Sequence, residues 1–456
     1  MHNIDIDVVE MALDVIKYAI GRVTNTDPKL GFPQKPEELQ ALVGDSITPA
    51  GIGGEKAFAI FRDVLANASV SIDHPKHLAF VPAAPTRAAV MFHLVTSAAS
   101  IHGAYWLEGA GGIFAENQAM KWLVSLTGLP DGAFGVFTSG GTTANLSAMV
   151  AARESWRDRN GSNRGRRGIV ITSDGAHSSV KAMAKVIDAD VLLVETEGRF
   201  EGDALKAAIH ALTPDDRERV FAVIATAGTT NAGIVDDLAG IAAVCRTEGV
   251  WFHVDAAYGG GALAAPSVRN LFKGIESADS VTIDPHKWLF APFDCGAVIY
   301  RDPELARRAH SQEGAYLDIF KAETNGFNPS DYQIQLTRRL RGLPLWFSLA
   351  MHGTDRYTVA IERGIELAGI AGRLVNASEH VELVREPSLS CVLFRRIGWS
   401  SADYTDWTYC NHKRGIALVA PTKWRNGSES ETVARFCFIN PDTTEEHIVE
   451  ILETMK

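Results

Sequence analysis

Apolar positions change their period as the chain proceeds. Between residues 4 and 23, Ile4, Val8, Met11, Val15, Ile16, Ala19 and Val23 recur near helical spacing. That spacing predicts an amphipathic helix ending around Thr24 to Pro28. Up to about residue 75 the chain reads as helices joined by loops that hold proline and glycine. It has little strand character, so this segment is expected to pack on something outside itself. From about 110 to 300, short apolar runs alternate with helical stretches. Strands are predicted at 135–137, 169–172, 191–194, 220–225, 251–254, 280–283 and 296–300, with helices such as 144–156 and 238–248 between them. This alternation implies a mostly parallel sheet covered on both faces. From about 360 a smaller α+β unit is expected. Its helices are 361–376, 402–413 and 444–455, and its strands 381–385, 391–395, 416–420 and 435–439.

Length changes the picture first. At 456 residues the chain exceeds what one hydrophobic core usually supports, so more than one structural unit is expected. Hydrophobic residues at 46% and charged residues at 22% describe an ordinary soluble composition. A net charge of −11 offers no basic surplus to neutralise phosphates, which argues against a nucleic-acid or anionic-membrane partner. No window approaches ~18 uninterrupted apolar residues, so no membrane span is expected. The N-terminus has early acids and no basic stretch before an apolar run, so no signal peptide is expected either. The five cysteines at 245, 295, 391, 410 and 437 form no CxxC pair and are odd in number. They read as thiols of a reducing compartment, the cytoplasm. No metal is expected.

In a parallel sheet, ligands gather at the carboxyl ends of strands. Four polar clusters follow predicted strands there. Thr138-Ser139-Gly140-Gly141-Thr142-Thr143-Ala144-Asn145 opens a helix. Its glycines let backbone N–H groups approach an anion, although a plain capped helix start looks similar. Thr172-Ser173-Asp174-Gly175-Ala176-His177 presents His177, able to stack on a ring or to sit in solvent. His253-Val254-Asp255-Ala256-Ala257 places the Asp255 carboxylate at a strand end, with the small Ala257 beside it. Such a carboxylate keeps the ring of pyridoxal phosphate (PLP) protonated and electron-accepting, or else caps a helix. Asp284-Pro285-His286-Lys287 follows the strand at 280–283. A lysine there, beside apolar residues, is expected to have a lowered pKa and to attack an aldehyde as a free amine. Each residue alone is weak; the four together are what a PLP site requires.

The stretches TSGGTTANLSAMVAAR, DGAHSSVKA, HVDAAYGG and DPHKWLFAPFDCGAVIYRD resemble the group II PLP-dependent amino-acid decarboxylases. That family includes aromatic-L-amino-acid, glutamate and 2,4-diaminobutyrate decarboxylases. The likeness runs from about residue 70 to the C-terminus, through HPKHLAFVPAAP, RRLRGLPLWF and RFCFINPDTTEEHI. It implies PLP fold type I and a homodimer with its active site at the subunit interface. It also implies a three-part chain: an N-terminal helical dimerisation segment (1–75), a large PLP-binding domain (76–355) and a small α+β domain (356–456). By resemblance Lys287 carries the cofactor as a Schiff base, Asp255 pairs with the ring nitrogen, and His177 and Ala257 flank the ring. Gly141, Thr142 and His286 match phosphate ligands, Thr226 a position near the 3′-hydroxyl, and Arg435 a C-terminal-domain arginine near the site. Phe80, His102, Trp106 and Tyr332, with Arg435, fall where the family meets its substrate. The implied reaction is α-decarboxylation of an L-amino acid, possible aromatic side chains included. Glu108 suggests a basic side chain instead.

Three positions depart from the family pattern. Asp284 stands where aromatic decarboxylases have an asparagine that helps to bind the phosphate. It is counted with the cofactor site, but an ionised carboxylate cannot donate a hydrogen bond, so a different contact is expected. Ala83 replaces a hydroxyl residue facing the substrate. The family's loop tyrosine, which returns a proton after carbon dioxide leaves, aligns with Pro329. A small loop shift would bring in Phe327 or Tyr332, and His177, Tyr332 or a residue of the partner subunit are the candidates for returning the proton. Relatives with phenylalanine at that position are aldehyde synthases, so oxidative deamination, and aminotransfer, are the alternative chemistries.

Overall fold

A computed structural model describes residues 6–159, 161, 165–312, 326–427 and 429–456. Ile4 of the first predicted helix and residues 322–325 of the loop before the RR motif lie outside them.

The large sheet has seven strands: β1 (Phe134–Thr138), β2 (Ile169–Ser173), β3 (Asp190–Val194), β4 (Val220–Thr226), β5 (Trp251–Asp255), β6 (Ser280–Ile283) and β7 (Gly296–Tyr300). Their order is β1-β7-β6-β5-β4-β2-β3. Only β7 runs antiparallel to its neighbours, β1 and β6. The remaining pairs are parallel. Every residue of β4 and β5 is buried, as expected of strands covered on both faces. Alternation along the strands divides the core. Ile171, Val223, Phe252 and Ile283 pack towards helices Trp106–Thr127 and Leu238–Glu248. Val170, Ile224, Trp251 and Val298 pack towards Gly141–Arg159 and Ser179–Val186.

A second, antiparallel sheet holds β8 (Val381–Leu383), β9 (Cys391–Arg396), β10 (Thr422–Asn426) and β11 (Glu429–Cys437), in the order β10-β11-β9-β8. Helices Thr354–Asn376, Ser401–Lys413 and Glu445–Glu453 cover it around Leu367, Phe394, Tyr404, Phe436 and Ile448. The strand predicted at 416–420 is not one. Ala417 and Val419 are buried, but Leu418 makes only an isolated bridge to His77. Alternation there reports burial under the His77–Leu78 segment, not pairing in a sheet. The strand lies instead at β10, whose sequence TKWRN carries no apolar alternation to signal it.

The first helix is Ile6–Thr24, and it packs on Gly54–Ile60 and Arg87–Ala98. Tyr18 meets Phe58 edge-on at 5.8 Å between ring centroids. Val9, Leu13, Ile16 and Ile20 are exposed on another side of it. Among the described residues, no helix is long and apolar enough to cross a membrane.

Candidate active site

The carboxyl ends of the parallel strands deliver the site. After β1 the chain turns through Gly140 and Gly141 into the helix Gly141–Arg159, placing free backbone N–H groups at its start. β7 begins alongside: a side chain at Gly296 would come within 2.5 Å of the Gly140 backbone. β2 leads to His177, β4 ends on Thr226, β5 on Asp255, and the segment Asp284–Lys287 follows β6.

These residues surround one cavity of about 410 Å³. All nine expected cofactor residues line it: Gly141, Thr142, His177, Thr226, Asp255, Ala257, Asp284, His286 and Lys287. Asp255 is nearly buried. Its Oδ1 accepts from the Ala257 N–H at 3.1 Å and its Oδ2 from Asn145 Nδ2 at 2.8 Å. His177 Nδ1 accepts from the Ser179 N–H at 3.2 Å and lies 2.8 Å from Ser179 Oγ. That leaves Nε2 as the nitrogen that carries the ring proton in the neutral form. His286 Nδ1 accepts from the Cys295 N–H at 3.1 Å, and its Nε2 lies 3.8 Å from Asp284 Oδ2. Burial pushes the His286 pKa down, so its imidazole is neutral near neutral pH.

Lys287 overturns one expectation. Its Nζ lies 3.0 Å from Asp284 Oδ2. Burial pulls its pKa down, but the carboxylates of Asp284 and Asp255 outweigh burial, and the pKa is raised rather than lowered. The contact expected for Asp284 is therefore the lysine. Its Oδ1 is buried with no hydrogen-bond partner among the described residues.

The five residues expected near the substrate do not line this cavity. Phe80 is 65% exposed, so its ring is turned out to the surface. His102 Nδ1 pairs with Glu108 Oε2 at 2.5 Å, so that carboxylate is already engaged. Trp106 packs beside Ile113, Leu340 and Leu343, and its backbone N–H donates to Asn328 Oδ1 at 2.9 Å. Tyr332 stacks on Phe327 with centroids 4.5 Å apart, in the cluster around Tyr300 and Ala306. Arg435 is buried; its guanidinium donates to the carbonyls of Asn231 and Phe80 and lies 3.4 Å from Cys391 Sγ. Pro329, where the family tyrosine aligns, is buried and opens a short 3₁₀ turn. Thr143, read with Thr142 as a hydroxyl donor, also lines the cavity, as do Ser139, Asn145 and Thr230, which carried no role read from the sequence.

Residues 36–397 match the model described as the pyridoxal-dependent decarboxylase conserved domain. An aromatic-L-amino-acid decarboxylase of Bacillus atrophaeus is 34% identical over 92% of this chain and 88% of its own. An L-2,4-diaminobutyrate decarboxylase of Acinetobacter baumannii is 30% identical, over 79% of this chain and 74% of its own. Among solved structures, Oryza sativa TDC with PLP and tryptamine superposes with a TM-score of 0.90 at 24% identity, covering 100% of this chain and 99% of that one. At that identity the likeness is one of fold. The chain belongs to the pyridoxal-dependent decarboxylase family, and pyridoxal phosphate is its cofactor.

Proposed function

We propose that this decarboxylase acts on the α-carboxylate of an L-amino acid with Lys287 as the residue that holds the cofactor. One observation carries the reading: Lys287, Asp255, His177 and the Gly140–Gly141 turn converge on a single cavity. The fit can be tested at Gly141, where a Cβ would lie 2.9 Å from Asp284 Oδ2 and 3.1 Å from Ala257 Cβ. A side chain there would fill the cradle that a flat ring and its phosphate need.

When bound, pyridoxal phosphate supplies an electron sink for the pair left as carbon dioxide departs. The Lys287 amine would hold its aldehyde carbon. Asp255 would face the ring nitrogen as an acceptor. Ala257 and His177 would lie on the two ring faces, and Thr226 near the ring hydroxyl. Thr142, His286 and the N–H groups after Gly140 would take the phosphate. Asp284, paired to the lysine, is read as setting the charge of that amine. His177 would return the proton, because its Nε2 is free in the cavity while Tyr332 is stacked outside it. Aromatic L-amino acids are the first substrates to test, since the Bacillus atrophaeus relative is named for them. The reading includes a homodimer, supported by the exposed apolar side of Ile6–Thr24. It places the enzyme in the cytoplasm, supported by five free cysteines. It also keeps the three-part division at about residues 75 and 355, supported by two separate sheets.

The test is a screen of amino acids for stoichiometric amine and carbon dioxide, beside Lys287→Ala. The variant should lose both turnover and the visible absorption of lysine-bound cofactor. Retention of that absorption would remove Lys287 from its role. Oxygen uptake with ammonia and peroxide release would replace simple decarboxylation by oxidative deamination.

A further inference from the structure

Behind Asp255 runs a row of polar side chains that the cavity alone does not explain. On β5, Trp251, His253 and Asp255 alternate onto one face, and Ser280 of β6 is the register partner of His253. Asn145 comes from the helix Gly141–Arg159, which covers that face. All five residues are buried. Trp251 Nε1 lies 2.8 Å from Ser280 Oγ, and Ser280 Oγ lies 2.7 Å from His253 Nδ1. His253 Nε2 lies 3.0 Å from Asn145 Oδ1, and Asn145 Nδ2 lies 2.8 Å from Asp255 Oδ2.

Both ends of this row fix its direction. An indole N–H can only donate, and an ionised carboxylate can only accept. Asn145 Nδ2 donates to Asp255, so its Oδ1 accepts from the His253 Nε2–H. The reverse orientation of this amide would aim its oxygen at a carboxylate. The neutral ring then accepts at Nδ1 from the Ser280 hydroxyl, whose oxygen accepts from Trp251. Burial lowers the His253 pKa to about 4, so the ring is neutral, with the one donor and one acceptor that the row requires.

We propose that Trp251, Ser280, His253 and Asn145 form a one-way donor chain that orients the Asp255 carboxylate and keeps it charged towards the cofactor's ring nitrogen. Asn145 and His253 are thus positioning residues for the reaction. This deepens, and rests on, the reading of Asp255 as the ring-nitrogen partner.

The test measures the ¹⁵N shift of the ring nitrogen in holoenzyme loaded with ¹⁵N-labelled pyridoxal phosphate, together with kcat and KM. Ser280→Ala is the deciding variant, since that hydroxyl touches neither Asp255 nor the cavity. It should move the shift towards the unprotonated value. It should also lower kcat by about 3- to 10-fold, with KM within about 2-fold. Asn145→Leu should do the same more strongly. His253→Gln, which keeps a donor and an acceptor, should recover most of what His253→Phe loses. A mere packing role predicts no change of shift in Ser280→Ala. If Ser280→Ala and Asn145→Leu keep the wild-type shift and kcat while Asp255→Asn loses them, the donor chain is wrong and the reading of Asp255 stands. If Asp255→Asn leaves the shift unchanged, that reading fails and the chain fails with it. Should His253→Phe not fold, the Ser280 and Asn145 variants still decide.

Discussion

Lys287 shows how a single residue is governed by its neighbours. Burial favours the free amine, but Asp284 and Asp255 favour the ammonium and prevail. Only the deprotonated amine can attack an aldehyde, and below a raised pKa most of it is blocked. Asp284→Asn removes the nearest negative charge and so lowers that pKa. Apoenzyme carrying it should capture pyridoxal phosphate on the order of tenfold faster near neutral pH, one pKa unit being a factor of ten. Stopped-flow absorbance reads this directly, and an unchanged rate would count against the role given to Asp284. The sequence made Lys287, Asp255 and His177 legible because each stands just past an apolar run. It did not reveal that Asn145 bonds to Asp255, or that His253 and Ser280 continue the row behind it. Inside a strand, a buried polar residue looks like ordinary alternation, and only the shared face of Trp251, His253 and Asp255 hints otherwise.

At the scale of elements, the seven strands of the large sheet were legible to within a residue or two, because each is a short apolar run, fully buried in β4 and β5. β10 was not, since half-exposed antiparallel strands need no such run. The first helix was legible as a helix but not in its facing. Val15 and Ile16 belong to the predicted stripe yet are exposed, while Met11, Tyr18 and Ala19 turn towards the body. Apolar residues on more than one side of a helix indicate more than one partner. Val9, Leu13, Ile16 and Ile20 fall at the spacing of a helix-packing seam. The double substitution Leu13→Glu with Ile16→Glu should convert the proposed dimer to monomer in sedimentation equilibrium. A dimer that survives both charges would place the interface elsewhere.

For the whole molecule, two buried histidines contribute to the pH dependence of stability. Burial lowers both His77 and His253 to about 4, against an ordinary value of 6.5. Between those values the unfolded chain binds protons that the folded one refuses. Their contribution is therefore complete above about pH 6.5, declines as pH falls towards about 4, and levels off below. Each histidine adds a slope of about 1.4 kcal/mol per pH unit in that window. His77→Leu should flatten the measured dependence of urea-unfolding free energy by about one such slope. A slope equal to wild type would mean that His77 is already protonated in the fold.

The insertion of β7 between β1 and β6 also bears on assembly order. β2 to β6 can zip together from pieces of chain that follow one another, but β1 must wait for a strand made more than a hundred residues later. Such a long closure is slow and comes late. The glycine turn after β1 meets Asp284 to Lys287 only once that closure is complete. A ribosome-bound chain that has not yet exposed β7 thus has no site with which to capture the vitamin-derived cofactor. Cofactor uptake therefore follows closure of the large sheet and is open only to molecules in which β1 has found β7.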